Sequence, residues 1–179
     1  YFGSVYSTFG GETTFVDLAL TYGLGDAEEN NSLTKGDFDT EVFSAYAGVG
    51  KAFGITENFA LTPEASFLAS YYDQDSYTRK GTIVADDMQI DFYDEWSYLS
   101  SLGVNLTTIH QIDWMNRGLA IIPEARLHWL HEFNDDLDDV DFTLAGGTIP
   151  DTLDVRAREE DIFRLGFGFD VWSWKYQNA

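Results

Sequence analysis

Alternate positions of the stretch Leu119–Phe133 fall on two chemically different surfaces. Leu119, Ile121, Pro123, Ala125, Leu127, Trp129 and Phe133 share one, with His131 its single ionisable member. Ala120, Ile122, Glu124, Arg126, His128, Leu130 and Glu132 share the other. A period of two is that of a β-strand, whose side chains point to opposite faces in turn. The same period predicts six further strands, over Tyr1–Phe9, Phe15–Leu24, Thr40–Phe53, Phe59–Tyr72, Glu95–Ile109 and Ile162–Trp174. In Phe15–Leu24, Val16, Leu18, Leu20, Tyr22 and Leu24 oppose Asp17, Ala19, Thr21 and Gly23. In Ile162–Trp174, Phe163, Leu165, Phe167, Phe169 and Val171 oppose Arg164, Gly166, Gly168 and Asp170. Nothing reads as an amphipathic helix of useful length.

The connections alternate in length. Short turns are expected at Gly10-Gly11, around Gly54–Asn58 and at His110–Gly118, and long polar segments at Gly25–Asp39, at Asp73–Asp94 with room for strand extensions at both ends, and at Asn134–Asp161. Short turns between neighbouring strands imply an antiparallel up-and-down meander. Leu61-Thr62-Pro63-Glu64-Ala65 and Ile121-Ile122-Pro123-Glu124-Ala125 stand 60 residues apart, a weak internal repeat of one pair of hairpins. Both place Pro on the apolar face inside a strand, where it removes a ladder donor, so a bulge or a wide ladder spacing is expected at each.

Composition narrows the solvent of the apolar face. The 179 residues include 31 acidic and 10 basic ones, a net charge of −21, and 16% are aromatic. The three long polar segments carry 16 of the 21 excess negative charges. Nucleic acid is excluded as a partner, because its phosphates need Lys and Arg. The absence of Cys removes disulfides, thiolate metal sites and a Cys nucleophile. No apolar run is long enough for a membrane-spanning helix. Tyr22, Tyr71, Trp96, Tyr98 and Trp129 lie on the apolar face towards the long-loop end, and Phe53, Phe59 and Trp114 near the short-turn end. Two aromatic girdles around an aliphatic band, strands of ten residues or more and loops of unequal length fit a transmembrane β-barrel. A secreted soluble β-sandwich that binds ligands through acidic loops, and a porin-like or adhesin-like barrel, remain the alternatives.

On the barrel reading, Asp17, Glu64, Glu124, Arg126, His128, Arg164 and Asp170 face the lumen, where they form a solvated network of ion pairs and hydrogen bonds. No catalytic, cofactor-binding or metal-ligating residue is assigned. His128 and His131 have opposite parity and cannot share a metal. The acidic run Asn134–Asp141 offers hard oxygens suited to Ca²⁺, which could bridge it to lipopolysaccharide phosphates, but it lacks the spacing of a known Ca²⁺ loop.

Leu61–Ala65, then Tyr77-Thr78-Arg79-Lys80-Gly81, then Tyr93–Gly103 ending Ser101-Leu102-Gly103, occur in an order that resembles autotransporter β-domains. So does Ile122–Phe133 (IPEARLHWLHEF), followed by an acidic loop and the glycine-alternating strand Leu165–Phe169. The resemblance covers Phe15 to Trp174. It implies a twelve-stranded barrel in the bacterial outer membrane that anchors, and helps to export, an N-terminal passenger threaded through its lumen. The partners it implies are outer-membrane lipid and lipopolysaccharide, the protein's own passenger and the barrel-assembly machinery. Seven strands are too few for such a barrel, and the terminal Phe usual in these barrels is missing, so the chain is expected to be an interior segment of a longer protein.

Overall fold

The computed structural model describes residues 1–30, 34–82, 87–114, 117–134, 139–144, 149–153 and 159–175. All seven expected strands form: β1 (Phe2–Gly10), β2 (Thr14–Asn30), β3 (Lys35–Lys51) with β4 (Phe53–Thr56) continuing it, β5 (Phe59–Gln74), β8 (Tyr93–Thr108) continued by β9 (His110–Trp114), β10 (Arg117–Glu132) and β13 (Asp161–Lys175). They pair in the order β1-β2-β3-β5-β8-β10-β13, every pair antiparallel. The result is an up-and-down sheet curled into a half-barrel, without helices among the described residues.

Two expected connections turn out to be wall. His110–Gly118 is mostly the two arms of the β9–β10 hairpin, paired from Ile121↔His110 to Arg117↔Trp114. Its mixed, nearly neutral sequence hides the alternation. The segment Gly25–Asp39 carries β2 and β3 upward to the pair Asn30↔Lys35, so most of its charge sits on strands. Acidic residues have low strand propensity, and the ladder inherited from below overrides it.

The other long segments also carry strands: β6 (Tyr77–Arg79), β7 (Met88–Ile90), β11 (Val140–Leu144) and β12 (Ile149–Leu153). These pair in the order β6-β7-β11-β12. That is the order of β5, β8, β10 and β13 beneath them, so the wall continues as an upper storey. Backbone bonds tie the storeys together, Asp75 N to Asp39 O at 3.1 Å and a reciprocal pair between Lys35 and Lys80.

Both prolines lie where one flanking ladder is interrupted. The β3–β5 ladder ends at Gly50↔Glu64 and resumes with β4 at Phe53↔Leu61, leaving Pro63, opposite Lys51, out of the pairing on that side. The β8–β10 ladder ends at Thr107↔Glu124 and resumes at His110↔Ile121, leaving Pro123, opposite Thr108, out of the pairing on that side. The expected irregularity is present at each, and the sequence repeat is a structural one.

Burial runs opposite to that of a soluble protein. Ala120 and Leu130 are the buried hydrophobic residues among those described, while Phe163, Phe167 and Phe169 are each at least 72% exposed. Along β2, Val16, Leu18, Leu20, Tyr22 and Leu24 are exposed, and Phe15, Asp17, Ala19, Thr21 and Gly23 between them are half-buried. The polar face is therefore the inner one. A sandwich would need the apolar faces packed together, so the soluble reading falls.

Candidate functional site

The inner face of the lower storey gathers its chemistry in a few ladder rows. One row runs Phe15, Gly50, Glu64, Gly103, His128, Arg164 across six strands. The next holds Thr62, Asn105, Arg126 and Gly166, and the one after it Thr107, Glu124 and Gly168. Strand parity alone puts these side chains on one side, and register sets who meets whom.

The glycines in these rows make room. A Cβ on Gly103 would lie 2.2 Å from Nδ1 of His128, and one on Gly168 would lie 2.6 Å from Oε1 of Glu124. On Gly50 a Cβ would meet the Phe15 ring at 2.3 Å. Each large side chain lies flat across the neighbouring strand over a residue that has none, which keeps the inner surface open.

Two adjoining cavities of about 570 and 350 Å³ share Glu64, Asn105, Arg126, His128 and Arg164; Asp17 lines the larger. Asn105 Nδ2 donates to Glu64 Oε1 at 2.5 Å, Arg126 pairs with Glu124, and Ser101 Oγ lies 3.3 Å from His128 Nδ1. Thr8 Oγ1 donates to Asp17 at 2.7 Å, and Asp170 sits opposite Ile122 further along β13. The Arg126–Glu124 pair is half exposed and adds little stability. Oδ1 of Asn105 is shielded from solvent and accepts no hydrogen bond among the described residues.

The seven polar positions expected on one face thus share a wall, and five of them line the cavities. Phe15 and Tyr46 also line the larger one; alternation sets Tyr46 on the face of Ser44, Gly48 and Gly50, and Phe15 on that of Asp17. Asn105 and Ser101 carry no charge to draw attention, and register reveals them. Glu64 and Glu124 both act as acceptors for neighbours. The wall offers both charge signs, amides and hydroxyls around open space, a surface suited to water or to a polar polypeptide.

The outer face carries the aromatics. Tyr22, Phe43, Tyr71 and Trp96 form one row over four strands. Tyr71 and Trp96 lie 5.0 Å apart between centroids and Trp96 stacks on Tyr98 at 5.7 Å. Trp129 Nε1 donates to Asp161 at 2.7 Å, and His131 lies between the rings of Trp129 and Phe133. At the rim, the buried Glu132 accepts from Ser97 Oγ at 2.6 Å and Tyr98 N at 2.7 Å, fixing β10 to β8 where the lower storey ends.

Above the aromatic row the outer face is acidic. Asp26 and Asp39 are direct cross-strand partners. Their mutual hydrogen bond, then their repulsion, holds the Asp39 carboxyl above the ordinary carboxylate range, with burial and Asp75 adding to the effect. Residues 135–138 of the acidic run singled out for Ca²⁺ lie outside the described residues, and no group of three acidic or His residues among the described ones could hold a metal.

A sequence model of the autotransporter beta-domain family matches residues 1–175. A search for similar curated proteins finds no match.

Proposed function

The chain belongs to the autotransporter beta-domain family, whose barrels are outer-membrane translocators, and on that premise we propose that it supplies part of the wall through which an N-terminal passenger is exported and by which it is anchored. The seven strands are then a portion of a twelve-stranded barrel in the bacterial outer membrane. The reading rests above all on the inverted faces: an exposed apolar exterior suited to lipid, and an interior lined by Asp17, Glu64, Glu124, Arg126, His128, Arg164 and Asp170. A polar interior lets an extended or helical segment slide, because each hydrogen bond lost to one wall group is replaced at the next.

On this reading Tyr22, Tyr71, Trp96, Tyr98 and Trp129 are headgroup anchors, their rings in the apolar zone and their N–H or O–H groups towards water. The role is non-enzymatic. Lipopolysaccharide and the assembly machinery are partners of the exterior, and Ca²⁺ at the acidic segments would act between carboxylates and lipid phosphates.

Protease shaving of intact cells tests the proposal. With the full-length protein the passenger should be cut at the cell surface, and deleting the segment equivalent to residues 1–175 should leave it protected inside. A passenger that reaches the surface without this segment would overturn the reading. A barrel that conducts ions steadily with no passenger bound or exported would favour a porin.

A further inference from the structure

The two storeys of the wall have opposite polarity. In the lower storey the inner face is polar and the outer face apolar. β3 runs unbroken through both, so its parity carries the inner side upward: Gly50, Gly48, Tyr46, Ser44, Val42 and Thr40 are followed by Phe38 and Gly36. Phe38 stacks on Tyr77 at 4.7 Å, and the ring of Tyr77 covers Gly36, which places Tyr77 on that inner side. From Tyr77 the row continues through Ile90 to Phe142. The row above it runs Arg79, Met88, Leu144. Apart from Arg79, which Glu29 neutralises from β2, and Asp151, which ends the row beside Phe142 on β12, the inner face of the upper storey is apolar.

The outer face there holds Asp26, Glu28, Asp37, Asp39, Lys35 and Lys80 on β2, β3 and beyond β6, with Thr78, Gln89, Thr143, Asp141 and Thr152 on the other strands. Lipid cannot cover such a surface, so this storey stands in water. In water the apolar side needs a cover, and the cover has to come from within. Phe38, Tyr77, Met88, Ile90, Phe142 and Leu144 are each only half-buried.

We infer that this inner face is an apolar vestibule that holds the emerging passenger, binding its apolar side chains before it folds outside. The inference rests on the export reading above, and the occupant follows from continuity: β2 and β3 carry one surface from the polar lumen wall directly into the vestibule. The change of polarity gives the two storeys different tasks. The lower one offers exchangeable polar contacts that let a chain slide, and the upper one offers apolar area, worth about 25 cal/mol per Å² covered, that keeps a segment from slipping back.

Residues 1–179 contain no Cys, so single cysteines can be placed without background. In the full-length protein, with one cysteine in a passenger stalled during export, disulfide crosslinking is compared for Ile90→Cys and Phe142→Cys on the inner face and Gln89→Cys and Thr143→Cys beside them on the outer face. His128→Cys reports on the lumen. The inner pair should crosslink several-fold more than the outer pair. Equal yields at inner and outer positions, or no inner crosslink while His128→Cys still reacts, would overturn the vestibule and leave the lumen path standing. No crosslink at His128→Cys either would remove both.

Discussion

The cross-strand glycines give the sharpest residue-level test. Replacing Gly103 by Ala in the full barrel puts a methyl 2.2 Å from a His128 ring atom, and the imidazole must leave its place over β8. The expected loss is about 1–3 kcal/mol, typical of overpacking, read from urea unfolding in detergent or lipid. Gly166→Ala is the control, since its Cβ would meet only Arg126 Cβ at 3.8 Å, and it should be near neutral. A second test uses the Asp26–Asp39 pair. A carboxyl whose folded pKa is raised holds its proton more tightly in the folded hairpin. Its stabilising effect is complete below the ordinary value of 3.8 and is lost as pH rises through the raised folded value. Amide exchange at Gly25 and Thr40 should therefore be better protected at the acid end of that window, and Asp39→Asn should flatten the dependence. Sequence alternation already reveals Glu64, Arg126, His128 and Arg164, because parity needs no register. Asn105, Ser101 and the ring of Phe15 over Gly50 are a different matter, since their part in the cavity depends on which strand positions face each other across the ladder.

At the scale of elements, the prolines mark where the wall tolerates interruption. Pro63 and Pro123 each sit at a position that one flanking ladder leaves unpaired, so Pro63→Ala should change stability by less than about 1 kcal/mol. Ala65→Pro, two residues on, is different. Ala65 is in register with Val49 on one side and Leu102 on the other. A proline there removes a ladder donor inside a paired wall, and the variant should fail to reach the heat-resistant folded form on a gel. The seven strand cores are legible because hydrophobic alternation persists where lipid or lumen dictates each face. Above Tyr22 and Phe43 the outer face turns acidic and the inner face turns apolar. The alternation survives there with its sign reversed, as in Phe38 between Asp37 and Asp39, and composition disguises it as loop. That reversal hides β11 and β12, while β6 and β7 lie in the segment where strand extensions are expected.

For the whole molecule, the inside-out distribution fixes what substitutions cost. Leu127 sits on the outer face in the row Pro63, Val104, Leu127, Leu165, and is 51% exposed. In a soluble sheet an exposed Leu→Arg change would be almost free. In the membrane reading it buries a guanidinium in hydrocarbon, at a cost of about 2–4 kcal/mol near the midplane. Thr107 lies on the inner face opposite Glu124, so Thr107→Arg meets water and a carboxylate and should cost far less. Measured side by side in bilayers, the two variants report which face meets lipid without reference to any passenger. A large penalty at Leu127 with little at Thr107 is the outcome the fold requires. The reverse order would mean that the curl had been assigned to the wrong side, and with it the lumen, the aromatic anchors and the vestibule above them, since all three inherit their sides from this one parity.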